Sequence, residues 1–149
     1  MIKRTNPDNK NKKELAIELL KIKEKHISKL KSNIENVKNI KSKLIDLKIE
    51  ISKKDGFFHQ AKLRVKAAFL ADDLIENGLN YEYLKKLHDE SIKDLKKIES
   101  KNERMRKSNE LFIKNLLDES NRYLIKSEKE IKDWYKKGKT FFKNTINAL

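Results

Sequence analysis

The chain contains no cysteine, one proline and three glycines in its 149 residues. Without cysteine it has neither a disulfide framework nor a thiolate metal site. So few turn-forming residues leave little room for the tight turns that sheets and loop-rich folds require. We therefore expect a small number of long helical elements.

Long hydrophobic runs are also missing. The longest uncharged apolar run, Ala67 to Ala71, is far shorter than the roughly 20 residues that span a bilayer. An unprocessed secretory precursor has an apolar segment shortly after its first residue, and no such segment follows Met1 here. We expect a soluble protein and a cytoplasmic location by default. A trimmed surface or secreted ectodomain would show the same composition, and that alternative stays open.

Arginine is scarce in an otherwise strongly basic chain. The net charge is +14, but only five of the 37 basic residues are arginine. Lysine excess is explained by solubility as well as by phosphate binding, whereas forked contacts to bases and phosphates favour arginine. Residues 1–56 hold 16 basic and 8 acidic side chains, residues 57–80 hold three of each, and residues 81–149 hold 18 and 12. The basic surplus therefore lies on both sides of a neutral segment.

Residues 11–54 are predicted to form one long helix. Ten apolar residues and His26 recur from Leu15 to Ile51 at steps of three and four, with ten steps over 36 residues, which is the α-helical period. A helix cannot bury such a stripe alone, so it needs partners. The pair Asp55-Gly56 predicts a turn at its end.

The neutral segment, residues 57–77, is predicted to form the inner helix of a bundle. Its apolar residues occupy more than one helical face, which is typical of a helix that packs between neighbours. We expect Phe69 and Leu70 to be almost fully buried. Gly78 is placed to end this helix, and Asn80 is placed to cap the next one.

A third helix is predicted over residues 80–137. No glycine or proline interrupts it, so one continuous helix is favoured, although its polar middle leaves a break near Ser108 open. Gly138 is expected to end this helix. Residues 139–149 then form a separate C-terminal segment.

These elements predict an all-α fold. We expect an elongated, antiparallel, coiled-coil-like helical bundle with three principal long helices. Residues 1–10 lack any periodic pattern and are predicted to be a flexible polar tail. Residues 11–149 are predicted to form a single domain, whose oligomeric state stays open.

No catalytic or metal-binding spacing is present. The three histidines, His26, His59 and His88, share no metal-ligand spacing. Adjacent carboxylates such as Asp72 and Asp73 project about 100° apart on a helix and do not form a catalytic dyad. The isolated glycines form no phosphate-binding loop. We predict no enzymatic activity, no catalytic residue, no cofactor, no metal and no small-molecule substrate.

Two groups of residues are candidate contacts with a macromolecule. Lys21, Lys25 and Lys29 form a row at i, i+4 spacing, which suits a polyanion, although a solvated face explains such a row better. The second group interleaves aromatic rings with cations near the C-terminus: Trp134, Tyr135, Lys136, Lys137, Lys139, Phe141, Phe142 and Lys143. These rings either form a contact surface or pack over the end of the bundle.

We predict a non-enzymatic binding or scaffold protein. Its partner is expected to be a protein that binds along a helical face or at the basic aromatic C-terminal end. One alternative is a nucleic-acid-binding protein that uses the lysine-rich helices. Another is a peripheral protein that binds an anionic membrane surface through its C-terminal segment. The sequence does not identify the partner.

Overall fold

The computed structural model describes residues 7–53, 56–95 and 100–149, leaving aside the side chains of residues 7–10, 81, 87 and 91–95. The predicted all-α helical bundle is confirmed, since every regular element in these ranges is helical. The elements are α1 (Pro7–Lys53), α2 (Phe57–Glu76), α3 (Tyr81–Leu95), α4 (Lys101–Asp133), a π-helical turn (Trp134–Gly138) and α5 (Lys139–Ala148).

Helix α1 begins earlier than predicted. It starts at Pro7, so residues 7–10 of the predicted tail belong to the helix. Proline suits the first helical position because its fixed φ matches the helix. An N–H at this position makes no intrahelical hydrogen bond, so nothing is lost when proline lacks one. The rest of the predicted tail, and Asp55 of the predicted turn, lie outside the described residues.

The single helix predicted over residues 80–137 is wrong, because α3 and α4 are separate helices. Ser100 is non-helical and caps α4: its hydroxyl accepts the backbone N–H of Glu103 at 3.4 Å, and its carbonyl accepts that of Arg104 at 2.9 Å. Ser108, where a break was considered, lies inside α4. The described residues therefore form four principal helices instead of the predicted three.

The junction between α2 and α3 forms as predicted. Gly78 has a φ of 105°, a left-handed conformation that favours glycine, and follows the C-cap residue Asn77. The N–H of Leu79 reaches the carbonyl of Leu74 at 3.1 Å, which completes a Schellman motif. The side chain of Asn80 accepts the backbone N–H of Tyr83 at 3.3 Å and caps α3.

The chain divides into two compact units. Unit 1 contains residues 1–32 and 126–149, and unit 2 contains residues 33–125. Helices α1 and α4 contribute to both units, whereas α2 and α3 belong to unit 2 alone. The single domain predicted for residues 11–149 stays a prediction.

Unit 2 is an antiparallel four-helix arrangement. At one level Gln60 of α2 bonds to Ile51 of α1 and Asn109 of α4, and at another Asn36 of α1 bonds to Asn77 beside α2. The predicted stripe on α1 fills this core. Its buried members are Ile34, Val37, Ile40, Leu44, Leu47 and Ile51.

Only one face of α2 is buried, so the predicted inner helix is wrong. Its buried side chains are Gln60, Leu63, Ala67, Ala71 and Leu74. Phe69 is 66% exposed and Leu70 is half-buried, contrary to the prediction that both are buried. Phe58 and Val65 are exposed on the same side as Phe69. At the edge of this second apolar face, Phe69 and Leu70 line a groove with Lys43, Asp46 and Leu47 of α1, and Phe58 and Val65 stay exposed.

Unit 1 pairs the beginning of α1 with the end of α4, the π-helical turn and α5. Ile27, Leu30, Trp134 and Ile146 are its buried apolar side chains. Because unit 1 contains no part of α2 or α3, α1 has one helical partner there instead of several. Accordingly, four residues of the predicted stripe are exposed in this unit: Leu15, Leu19, Ile22 and His26.

Candidate functional site

A groove of about 770 Å³ lies between α1 and α4 in unit 2. Each helix contributes four residues at i, i+3, i+4 and i+7, which is the spacing of one helical face. The lining residues are Ile45, Lys48, Ile49 and Ser52 from α1, and Lys107, Glu110, Leu111 and Lys114 from α4.

The floor of this α1/α4 groove is apolar. Ile45 is 43% exposed and Ile49 is 46% exposed, and half-buried Leu111 faces them from α4. Exposed branched aliphatic side chains at i, i+4 on one helix and an aliphatic residue on its neighbour form the surface that an amphipathic helix covers. The groove therefore exposes a continuous apolar floor between two helices.

The rim of the groove is predominantly basic. Lys48 lies on one side, and Lys107 and Lys114 lie on the other. The one carboxylate, Glu110, lies 4.0 Å from Arg106 in an i, i+4 pair, which offsets its charge. Lys107 pairs with Glu103 at 3.7 Å. Among the described residues Lys48 and Lys114 form no ion pair, so the rim carries a net positive charge toward solvent.

Sequence reasoning missed the groove residues, although a signal was present. Ile45 and Ile49 lie about 100° to 140° around α1 from Leu44, which is on the buried stripe. They form a second apolar row at i, i+4 spacing that the buried stripe does not require. Leu111 beside buried Phe112 repeats the pattern on α4. Apolar residues outside the main stripe were the signal.

The structure divides the predicted C-terminal cluster. Trp134 is 5% exposed, and its ring meets that of Phe142 edge-on at 5.7 Å between centroids. In the sequence Gly138 lies midway between Trp134 and Phe142, and in the structure it packs against the Trp134 indole. These rings pack inside unit 1. Lys23 Nζ lies 5.9 Å from the centroid of the Trp134 ring, so a cation from α1 covers the indole.

Tyr135 and Phe141 are the exposed rings of that cluster. Tyr135 is 52% exposed, and Lys31 both hydrogen-bonds to its hydroxyl and lies 4.6 Å from its ring centroid. Phe141 is 70% exposed on α5 and makes no ring contact with another described residue. Of the cluster's lysines, Lys139 is half-buried and the others are exposed: Lys136, Lys137 and Lys143. The structure therefore does not bring the cluster together as one surface.

The predicted lysine row is exposed on α1. Lys21, Lys25 and Lys29 are all in unit 1, and none pairs with a carboxylate in the part of the chain that the structure describes. Glu130 instead binds two neighbouring side chains, Lys23 at 3.3 Å and His26 at 3.1 Å. Burial alone would raise the pKa of Glu130, but these two hydrogen bonds lower it below its ordinary value.

His88 is buried in a polar layer inside unit 2, where Arg64 is its hydrogen-bond partner. Arg64 of α2 hydrogen-bonds to the Nε2 of His88 and to the hydroxyl of Ser108, the latter at 3.3 Å. The guanidinium also lies 4.0 Å from the ring centroid of Phe112. Burial lowers the pKa of His88 to about 4, and the positive charge of Arg64 lowers it in the same direction, whereas Asp89 opposes the change. His88 is therefore neutral at pH 7 and accepts from Arg64.

The described residues hold no group of three or more histidines and carboxylates that could bind a metal ion. None of the described helices is both long enough and apolar enough to cross a membrane. Comparisons with protein-family models, curated proteins and solved structures give no match to this chain.

Proposed function

We propose that the protein is a non-enzymatic helical scaffold that binds an acidic amphipathic helix of a partner protein in the α1/α4 groove. The observation that carries the proposal is the exposed apolar floor formed by Ile45, Ile49 and Leu111. An amphipathic helix that lies in an apolar groove is a recurring mode of protein recognition.

The basic rim of the groove supports an acidic partner. Lys48, Lys107 and Lys114 border the apolar floor, so a bound helix with carboxylates on both edges of its apolar face meets opposite charge on each side. Such rim charges mainly accelerate association and select the partner, while the apolar floor supplies most of the affinity. Binding is therefore expected to weaken with salt but not to vanish.

A synthetic peptide tests the proposal by isothermal titration calorimetry. The probe is a helical peptide of about four turns with leucines at i, i+4 and i+7 and glutamates on either side. Ile49→Glu places a carboxylate on the apolar floor, and we expect at least a tenfold loss of affinity. Phe58→Glu is the matched control, because Phe58 is 83% exposed on α2 and is not part of the groove.

Charge reversal in the peptide gives the second arm. A peptide with lysines in place of the glutamates is expected to bind at least tenfold more weakly than the acidic peptide, because it meets the lysine rim. Equal affinity for both peptides, or no heat of binding with the acidic peptide at millimolar concentration, would overturn the proposal.

A specific observation favours a second candidate, an anionic membrane surface bound by unit 1. The sequence of unit 1 holds 17 basic and 7 acidic residues, which is a surplus of ten out of the chain's fourteen. Phe141 is 70% exposed on α5 in the same unit. An exposed aromatic ring among lysines suits the interface of an anionic membrane.

Co-sedimentation with vesicles tests this second candidate. We expect binding to vesicles that contain phosphatidylserine, none to phosphatidylcholine vesicles, and a several-fold loss for Phe141→Ala but not for Phe58→Ala. Trp134 is buried, so its fluorescence would not report the contact. Retention of duplex DNA with no vesicle binding would instead support the nucleic-acid alternative.

A further inference from the structure

The outward face of α2 carries a row of exposed apolar side chains, distinct from the α1/α4 groove. At its edge Phe69 borders a smaller groove that Asp46 and Glu50 of α1 also line. Phe58, Val65 and Phe69 are 83%, 55% and 66% exposed. Their spacing of i, i+7 and i+11 places them within about 40° of one another around the helix. We call this surface the outer α2 face. Two large aromatic rings and a valine lie on one side of the helix, where the charged Lys62 and Glu76 are also exposed, so the apolar side chains are grouped and not scattered singly.

Charge on α2 is separated along the helix. All its basic residues, Lys62, Arg64 and Lys66, precede Ala67, and all its acidic residues, Asp72, Asp73 and Glu76, follow it. No acidic residue lies in the first turn and no basic residue lies in the last turn.

This order opposes the helix dipole. Acidic residues stabilise the N-terminal end of a helix and basic residues the C-terminal end, so the arrangement in α2 does not serve the isolated helix. Nor is it explained by pairing inside the chain. In the part that the structure describes, Lys62, Lys66, Asp72 and Asp73 form no ion pair.

An antiparallel second copy of α2 complements the charge pattern. We propose that the outer α2 face binds the same face of a second copy of this chain, with the two α2 helices antiparallel about a twofold axis that crosses this face midway between Val65 and Phe69. In that register Val65 faces Phe69 of the second copy, and Lys62 faces Asp73. A twofold contact of this kind is made twice by symmetry, so one complementary pair supplies two.

The register follows from the helical positions. Val65 and Phe69 are placed symmetrically about position 67, and Lys62 and Asp73 about a point half a residue further on. Lys62 and Asp73 also lie on the same side of the apolar row, at about 40° and 60° around the helix from Phe58. In antiparallel helix pairs, residues on the same side of the row face each other. A parallel pair would instead place like charges together.

Residues 57–80 are neutral in a chain of net charge +14. Two copies of a strongly basic chain repel each other, and the repulsion is least where no net charge lies at the contact. The outer α2 face is therefore the surface at which self-association meets little electrostatic opposition. Its neutral character also argues against an acidic partner, which the α1/α4 groove suits better.

Sedimentation equilibrium of the full-length protein tests the proposal. We expect a concentration-dependent dimer for the native chain and a monomer for Phe69→Asp, which buries a carboxylate in the contact. Lys62→Asp and Asp73→Lys each place like charges opposite one another, and we expect each to weaken dimerisation at least tenfold. The double variant restores opposite charges with the pairs reversed, and we expect it to dimerise as the native chain does.

Lys13→Asp is the matched control, because it reverses one exposed charge outside both α2 and the α1/α4 groove, and we expect it to leave the dimer intact. A native chain that stays monomeric up to about 1 mM would overturn the proposal. A double variant that dimerises as weakly as the two single variants would also overturn the proposal. Peptide binding by Phe69→Asp, measured in parallel, reports on the α1/α4 groove separately, so self-association can fail while the proposed function stands.

Discussion

Asn109 of α4 donates its side-chain amide to two oxygens of Gln60 on α2, the backbone carbonyl at 2.8 Å and the side-chain carbonyl at 3.0 Å. Both residues are buried, and Gln60 in turn donates to the carbonyl of Ile51 on α1 at 3.1 Å. A series of hydrogen bonds therefore connects three helices inside the core of unit 2. Apolar contacts still form when one helix slides along another, whereas hydrogen bonds require a fixed geometry. These hydrogen bonds therefore specify the register of the three helices.

Asn109→Ala is expected to lower the free energy of unfolding by about 1–3 kcal/mol. The substitution leaves the side-chain carbonyl of Gln60 without this donor in a buried position, which is the costly way to lose a hydrogen bond. Urea denaturation measures the change. A double-mutant cycle with Gln60→Ala should show a coupling of at least about 0.5 kcal/mol. Additive effects of the two substitutions would show that the bond does not stabilise the fold.

Phe69→Ala is expected to change stability by less than about 1 kcal/mol, whereas Leu63→Ala should cost about 2–5 kcal/mol. The reason is exposure, since Phe69 is 66% exposed and Leu63 is 1% exposed on the opposite face of α2. The measurement is urea denaturation at low protein concentration, where self-association does not contribute. A cost for Phe69 equal to that for Leu63 would mean that the outer α2 face is covered within the monomer.

Stability is expected to fall as the pH decreases from about 6.5 to about 4, because of His88. Its pKa is about 4 in the folded protein and 6.5 ordinarily, so within this window the unfolded chain binds a proton that the folded chain does not. At about 1.4 kcal/mol per pH unit, the loss amounts to about 3 kcal/mol. Below pH 4 both states are protonated at this site and its contribution becomes constant.

Urea denaturation at pH 7 and pH 4 measures the effect, with His88→Gln as the control. Glutamine does not titrate, so the difference in stability between the two pH values should shrink by about the same 3 kcal/mol in the variant. An unchanged pH dependence in His88→Gln would contradict the assignment. Carboxylates such as Glu130 titrate in both proteins and cancel in the comparison.

Gly138→Ala is expected to destabilise the protein, although glycine to alanine within a helix ordinarily stabilises by about 0.5–1 kcal/mol. A Cβ atom at this position would lie 2.7 Å from Cε3 of the Trp134 ring, so the buried indole must move. Thermal denaturation followed by Trp134 fluorescence measures both effects. We expect a lower Tm and a red-shifted emission, and a raised Tm would contradict the close contact.

Sequence periodicity predicted the core where one face of a helix meets several partners. From Leu30 to Ile51 the stripe on α1 is buried as expected, because α-helical spacing fixes which residues share a face. The same stripe did not predict that Leu15 and Ile22 are exposed. Periodicity shows that a face is apolar but not how many neighbouring helices cover it, and that depends on the lengths of α2 and α3.

The break between α3 and α4 was predictable from local chemistry. Ser100 and Glu103 have the serine-x-x-glutamate spacing of a helix start, a stronger signal than the absence of glycine and proline. The two apolar faces of α2 were also visible, but the sequence could not show which face was covered. The candidate sites consist of apolar residues left outside the core, and only three-dimensional packing separates those from the core itself.

Gly138 was predicted to end a helix, and instead the helix continues through it into α5 by way of the π-helical turn. Such a turn contains one more residue than an α-helical turn, and the side chains that follow it still point to the same side of the helix. Trp134, Phe142 and Ile146 can thereby share the inward side although their spacing exceeds the α-helical period. The turn is equivalent to a one-residue insertion that the helix has absorbed. Removing Lys136, which is exposed within it, would restore an uninterrupted α-helix and leave Phe142 and Ile146 facing as before, so this is the point at which the helix can change length without losing its packing.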